Sequence, residues 1–156
     1  VDEGMTALDV GCAMGFFSLA LAGMVGSEGR VVAVALQERM IRSLAKRARR
    51  RGLQDIIESR VCRADSLLID DLEGRMDLAL AIHVVHEIPD PPRLMREVHR
   101  SLKPGAKFYV TEPRGHVTGK DFAATLKAAT EAGFDVIEEI EKKRELTALM
   151  VRKKQF

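Results

Sequence analysis

No tryptophan occurs in this chain of 156 residues, and a single tyrosine accompanies six phenylalanines. Proteins that hold single-stranded nucleic acid stack bases on repeated aromatic side chains. So sparse a supply leaves that chemistry nothing to interleave with the basic residues. Cysteine is scarce too: Cys12 and Cys62 are two thiols in a chain long enough to fold without a staple. No set of cysteines and histidines has the spacing of a zinc site. A reducing compartment and a cytoplasmic location are expected. Charge of one sign is also missing, because 25 basic and 23 acidic residues leave a formal charge of +2. A nucleic-acid role must therefore rest on a local cluster. Neither a signal-like start nor an apolar stretch near the roughly 18 residues of a membrane span is present, so no membrane insertion is expected.

What is present is alternation. The length suits one domain over residues 1–156. Met5 to Val10 is an apolar run entering a glycine-containing turn, and Phe16 to Val25 has helical length. Arg30 to Leu36 is a Val/Ala run of the kind found in strands covered on both faces. Ile41, Leu44, Ala45 and Ala48 then mark one helical stripe. Further strands are expected at Ile56 to Cys62, Leu78 to Ile82 and Lys107 to Thr111. A helix carrying Leu94, Val98 and Leu102 inward should end before Pro104-Gly105, and another presents Phe122, Leu126 and Ala129. Phe134 to Ile140 and Glu145 to Val151 follow each other too closely for a crossover helix, so they should pair antiparallel. The economical fold is a three-layer α/β/α sandwich with a mixed sheet.

The sharpest local signal is Leu8 to Ala22, LDVGCAMGFFSLALA. A strand, Gly11, a short turn, Gly15 and a helix follow in order, which brings backbone amides and the positive end of a helix to one place. A dinucleotide fingerprint starting at Gly11 would need glycines where Ala13 and Phe16 stand, so NAD is disfavoured. No GKS or GKT follows, which excludes a Walker loop.

With LDVGCAMG, VVAVALQERM (Val31 to Met40), RADSL (Arg63 to Leu67), DLALAIHVVHEIPD (Asp77 to Asp90) and LKPGAKFYVTEP (Leu102 to Pro113) in this order, the chain resembles the class I S-adenosylmethionine-dependent methyltransferases. The small-molecule group of ubiquinone/menaquinone-biosynthesis and type 11 enzymes is the most similar. The resemblance implies a Rossmann-like mixed sheet of seven strands, order 3-2-1-4-5-7-6, with the last strand antiparallel. It also implies S-adenosyl-L-methionine as cofactor and a small-molecule methyl acceptor. Asp9, Gly11, Cys12, Ala13 and Gly15 would surround the methionine part, Ala35, Leu36 and Gln37 the ribose, and Met40 the adenine. Ala64, Asp65 and Ser66 would meet the adenine edge, with Asp65 accepting from its amine. Ile82 and His83 would complete the sulfonium end.

Three departures from the family accompany the resemblance. Ala13 replaces a usual glycine. Ala35 stands where an acid usually holds both ribose hydroxyls, an interaction worth about 1.5–3 kcal/mol. The family's usual helices before the first strand are absent ahead of Thr6, which implies a truncated chain or an open pocket. For the acceptor, His83 and His86 are the candidate catalytic residues, since a histidine at this rim can orient or deprotonate a substrate. Glu112 and Arg114 could position an acceptor, and His99 is expected to face solvent. Basic residues at 42, 46, 47, 49, 50 and 51 form a solvent face or a patch for RNA or another anionic surface. A non-catalytic methyltransferase-like domain with weakened cofactor binding and an RNA methyltransferase stay open as alternatives to the small-molecule enzyme.

Overall fold

The computed structural model describes residues 1–13 and 15–154. The chain runs β1 (Thr6–Val10), α1 (Phe16–Val25), β2 (Arg30–Ala35), α2 (Glu38–Arg50), β3 (Ile57–Val61), β4 (Met76–Ile82), α3 (Pro91–Ser101), β5 (Leu102–Pro113), α4 (Gly119–Ala132), β6 (Phe134–Glu141) and β7 (Glu145–Arg152). The sheet has seven strands in the order β3-β2-β1-β4-β5-β7-β6, as the resemblance implies. β1 to β5 pair in parallel, and β7 lies antiparallel between β5 and β6.

Alternate residues of the central strands feed two cores. Leu8, Val10, Val32 and Val34 pack on the side of α3 and α4, with Leu94, Val98, Phe122 and Leu126. Ala7, Val31, Ala33 and Ala35 face α1 and α2, with Leu19, Leu21, Ile41 and Leu44. Both faces of β1 and β2 are thereby buried, which is why these strands read as unbroken apolar runs. Ile41, Leu44 and Ala48 are the inward stripe of α2, and its basic residues occupy the exposed side.

Two expectations need correction. α3 stops at Ser101, and Leu102 already belongs to β5, pairing with Met76. Pairing resumes at Lys107 with Leu78, so residues 103–106 form an irregular step that accommodates Pro104 and Gly105 within the strand,. Arg152 closes the end of α3 from the sheet side, donating to the carbonyls of His99 at 2.9 Å and of Leu102. The second correction is His99, which is half-buried with its ring edge-on to Phe134 at 5.2 Å. Burial first, and then the nearby charge of Arg152, hold its pKa below the usual imidazole value.

Candidate cofactor and acceptor site

The strand order reverses between β1 and β4: β1 connects toward β2 on one side, and β4 connects toward β5 on the other. In an open parallel sheet this arrangement leaves a crevice at the carboxyl ends of the strands. The turn after β1 sits there. Gly11 and Cys12 both donate their N–H to the Val34 carbonyl, at 2.9 and 3.0 Å, and Gly15 donates back to Cys12 at 2.8 Å. Gly11, Ala13 and Gly15 have φ of +70°, +48° and +92°. Ala13 thus keeps the left-handed conformation of a glycine, at a cost of about 1–2 kcal/mol. A Cβ on Gly11 would come within 2.3 Å of Val84 Cγ2, so the turn lies directly against the segment that follows β4. A Cβ on Gly15 would meet Leu44 Cδ1 at 2.2 Å.

α1 follows Gly15, which as its N-cap offers no side-chain bond, and this leaves the positive end of the helix dipole at the turn,. Asp9 lies beneath the turn, 2% exposed, and accepts from Ser18 Oγ of α1 at 2.6 Å. Burial outweighs that hydrogen bond and raises its pKa to about 6. Ser18 is a residue that the sequence did not single out; its place two positions into α1, in reach of a buried acid, is visible only in the fold. Cys12 is buried, and loss of solvation pushes its thiol up to about 12, so it stays protonated at neutral pH.

Ala35 is covered at the end of β2, whereas Leu36 beyond it is 57% exposed and Met40 is half-buried. Gln37 is exposed immediately before α2. Across from them, Ala64 and Asp65 are exposed on the loop after β3, and Asp65 pairs with Arg63 at 3.2 Å. Ser66 is otherwise engaged: its hydroxyl donates to Glu97 of α3 at 2.9 Å and accepts from Leu68 N at 3.1 Å. Ile82 ends β4, half-buried, with Val10 and Ala81 paired one step before the turn.

The two histidines after β4 are held separately. His83 adopts φ +58°, and its Nε2 lies 3.0 Å from Glu145 at the start of β7. His86 belongs to the 3-10 turn Val85–Glu87, and its Nδ1 lies 2.5 Å from Glu112 Oε2. Glu112 differs from its expected role as an exposed acceptor-positioning acid. It is 1% exposed, and it accepts from the N–H groups of Val85 at 2.9 Å and His86 at 3.3 Å. Arg114 is tied to Lys142 and Glu141 of the β6–β7 hairpin. Glu145 and Glu97 were not legible as partners, because each comes from an element remote in sequence.

An open, mostly parallel sheet with its glycine turn at the switch point defines a Rossmann-like α/β protein with a ligand crevice. Residues 1–154 match the family model described as a methyltransferase domain, and the chain belongs to that family. It is 34% identical over 110 residues to a 2-phytyl-1,4-naphtoquinone methyltransferase of Nostoc punctiforme, covering 70% of this chain and 47% of the relative. It is 28% identical over 112 residues to a demethylmenaquinone methyltransferase of Lactobacillus johnsonii, covering 72% and 45%. The chain therefore spans a little under half the length of these curated relatives. Among solved structures, a SAM-dependent methyltransferase from Aquifex aeolicus superposes with a TM-score of 0.84 at 24% identity, over 97% of this chain and 84% of that one.

Proposed function

We propose that this protein binds S-adenosylmethionine in the crevice between β1, β2 and β4 and passes its methyl group to a small-molecule acceptor. One observation supports the reading above the others: the turn that holds Gly11, Ala13 and Gly15 in the left-handed region delivers an uncapped helix amino end to the switch point of the sheet,. The cofactor's methionine carboxylate suits that positive end. Its adenine suits the apolar surface of Leu36 and Met40, with the Asp65 carboxylate available to its amine. The ribose end fits less well, because Ala35 offers no acid and the exposed Gln37 is the polar side chain that follows the strand end. The bound group supplies a methyl already activated on a sulfonium, so the protein's task is to align an acceptor lone pair and exclude water. The names of the two relatives favour a quinone-type ring as that acceptor, and the name of a further relative, a ubiquinone biosynthesis O-methyltransferase of Caulobacter vibrioides, favours oxygen as the accepting atom.

Titration calorimetry with S-adenosylmethionine and its demethylated product tests the reading. Asp65→Ala should weaken binding by about 1.5–3 kcal/mol, or roughly tenfold to a hundredfold, with an unchanged melting temperature in the absence of ligand. Ala35→Asp should tighten binding by about tenfold by giving the ribose hydroxyls a charged acceptor, while lowering the ligand-free melting temperature because the position is covered. No binding by the parent chain, or equal affinity in all three proteins, would reject the assignment.

A further inference from the structure

Glu112 is the most fully buried carboxylate of the crevice edge, and it reaches the edge only through His86. It stands near the end of β5, one residue beyond Thr111, which pairs with Ile82 at the end of β4. Its oxygens already accept from the backbone N–H groups of Val85 and His86. An ionised carboxylate can only accept, and with Glu112 in that form the 2.5 Å contact with the ring is a bond donated by His86 Nδ1–H,. The tautomer follows: in the neutral ring the Nε2 carries the lone pair. Among the described residues Nε2 makes no hydrogen bond, and Glu87 Oε1 stands 3.9 Å from it. The ring is stacked on His116, from the loop after β5, with centroids 5.6 Å apart. The side chain remains 21% exposed, enough for Nε2 to meet a ligand. The whole segment adjoins the cofactor turn, since Val84 fills the space beside Gly11.

We propose that Glu112 is a positioning residue that orients His86 as the proton acceptor for a hydroxyl-bearing methyl acceptor, a phenol, catechol or hydroquinone. This rests on the methyl-transfer reading for its product, but the pair and its proton chemistry stand on the geometry of β4 and β5. The acceptor's O–H bond breaks, its proton goes to Nε2, and the oxygen keeps the electron pair with which it bonds the methyl carbon. The sulfur leaves with the electron pair of the broken carbon–sulfur bond as a neutral thioether. The imidazolium charge is balanced by the Glu112 carboxylate, with Glu87 close by and the His116 ring stacked against it,.

The test uses the full chain. Long-range proton–nitrogen NMR of the imidazoles, assigned with His86→Asn, should show the Nδ1–H form in the parent and lose that preference in Glu112→Gln. An Nε2–H form in the parent, or an identical pattern in both, overturns the orientation. The second arm titrates 4-nitrocatechol, whose anion has its own visible absorption, in the presence of S-adenosylhomocysteine. The parent should bind the probe and raise its anion fraction. Glu112→Gln and His86→Asn should retain binding within about threefold but lose the anion rise by about tenfold. A purely structural role for Glu112 would shift binding or melting while leaving the anion fraction of bound probe intact, and that result, or a parent that binds no probe, overturns the proposal. His86→Asn leaves the backbone N–H bonds to Glu112 in place, so the second arm remains readable if Glu112→Gln does not fold. Failure of the methyl-transfer reading is seen separately, as absence of S-adenosylmethionine binding by calorimetry.

Discussion

Asp9 is sealed under the glycine turn with one hydroxyl for company, and its carboxyl is correspondingly harder to ionise, with a pKa of about 6 instead of 3.8. Between those two values the unfolded chain has lost the proton and the folded chain still holds it. Stability therefore falls as pH rises through the folded value, and the full cost applies above it. Two pKa units correspond to about 3 kcal/mol at neutral pH. Asp9→Asn should remove that cost while keeping an oxygen for Ser18 Oγ. Melting curves should show the variant several degrees more stable than the parent at pH 7.5 and nearly equal to it at pH 4. A variant whose advantage over the parent is no larger at pH 7.5 than at pH 4 would show that Asp9 is ionised without penalty. Ala13 is the opposite case at this scale, a residue with a side chain that adopts the left-handed backbone shape favoured by glycine and accepts the strain of doing so.

At the level of elements, the turn after β1 and the segment after β4 are one packed unit, because Val84 occupies the space that any side chain at Gly11 would need. Gly11→Ala should destabilise the chain by more than the roughly 1–2 kcal/mol of left-handed strain alone. Val84→Ala added to it should recover part of the loss. The double variant measured by urea denaturation is expected to be more stable than the sum of the two single changes; strict additivity would place Val84 outside the contact. This pairing also marks the boundary of what the sequence discloses. The strands, the helices and the glycine turn were legible because periodicity and turn chemistry are local. The start of β5 was not, since Pro104-Gly105 reads as a break and becomes an irregular step only when Met76 and Leu78 supply the pairing. The proposed cofactor-side positions, such as Asp65, follow from the order of the motifs. The commitments of Ser66 to Glu97, His83 to Glu145 and Glu112 to His86 arise from side chains that meet across elements.

Over the whole molecule, the two edges of the parallel strands do different work. The glycine turn and the pairs His83–Glu145 and His86–Glu112 gather at the carboxyl ends, while at the opposite edge Arg152 ties β7 to the last turn of α3. Arg152→Ala should cost about 1.5–3 kcal/mol, the value of hydrogen bonds to a charged donor, and should leave S-adenosylmethionine affinity unchanged. A loss of affinity equal to the loss of stability would mean that the two edges are coupled. The basic side of α2 is likewise separate from the sheet's packing, with Ile41, Leu44 and Ala48 carrying the contact and the charged residues turned outward.

The placement of β7 between β5 and β6 has a bearing on how the chain comes off the ribosome. As synthesis proceeds, β5 can join β4 as soon as it emerges, but β6 has no partner waiting for it among the described residues, because its neighbour in the sheet, β7, has yet to be translated. During that interval the nascent chain carries an open β5 margin, beside which Phe108 and Phe134 have not yet been brought together. Insertion of β7 closes that margin and gives β6 its partner, so two strand pairings wait on the same segment,.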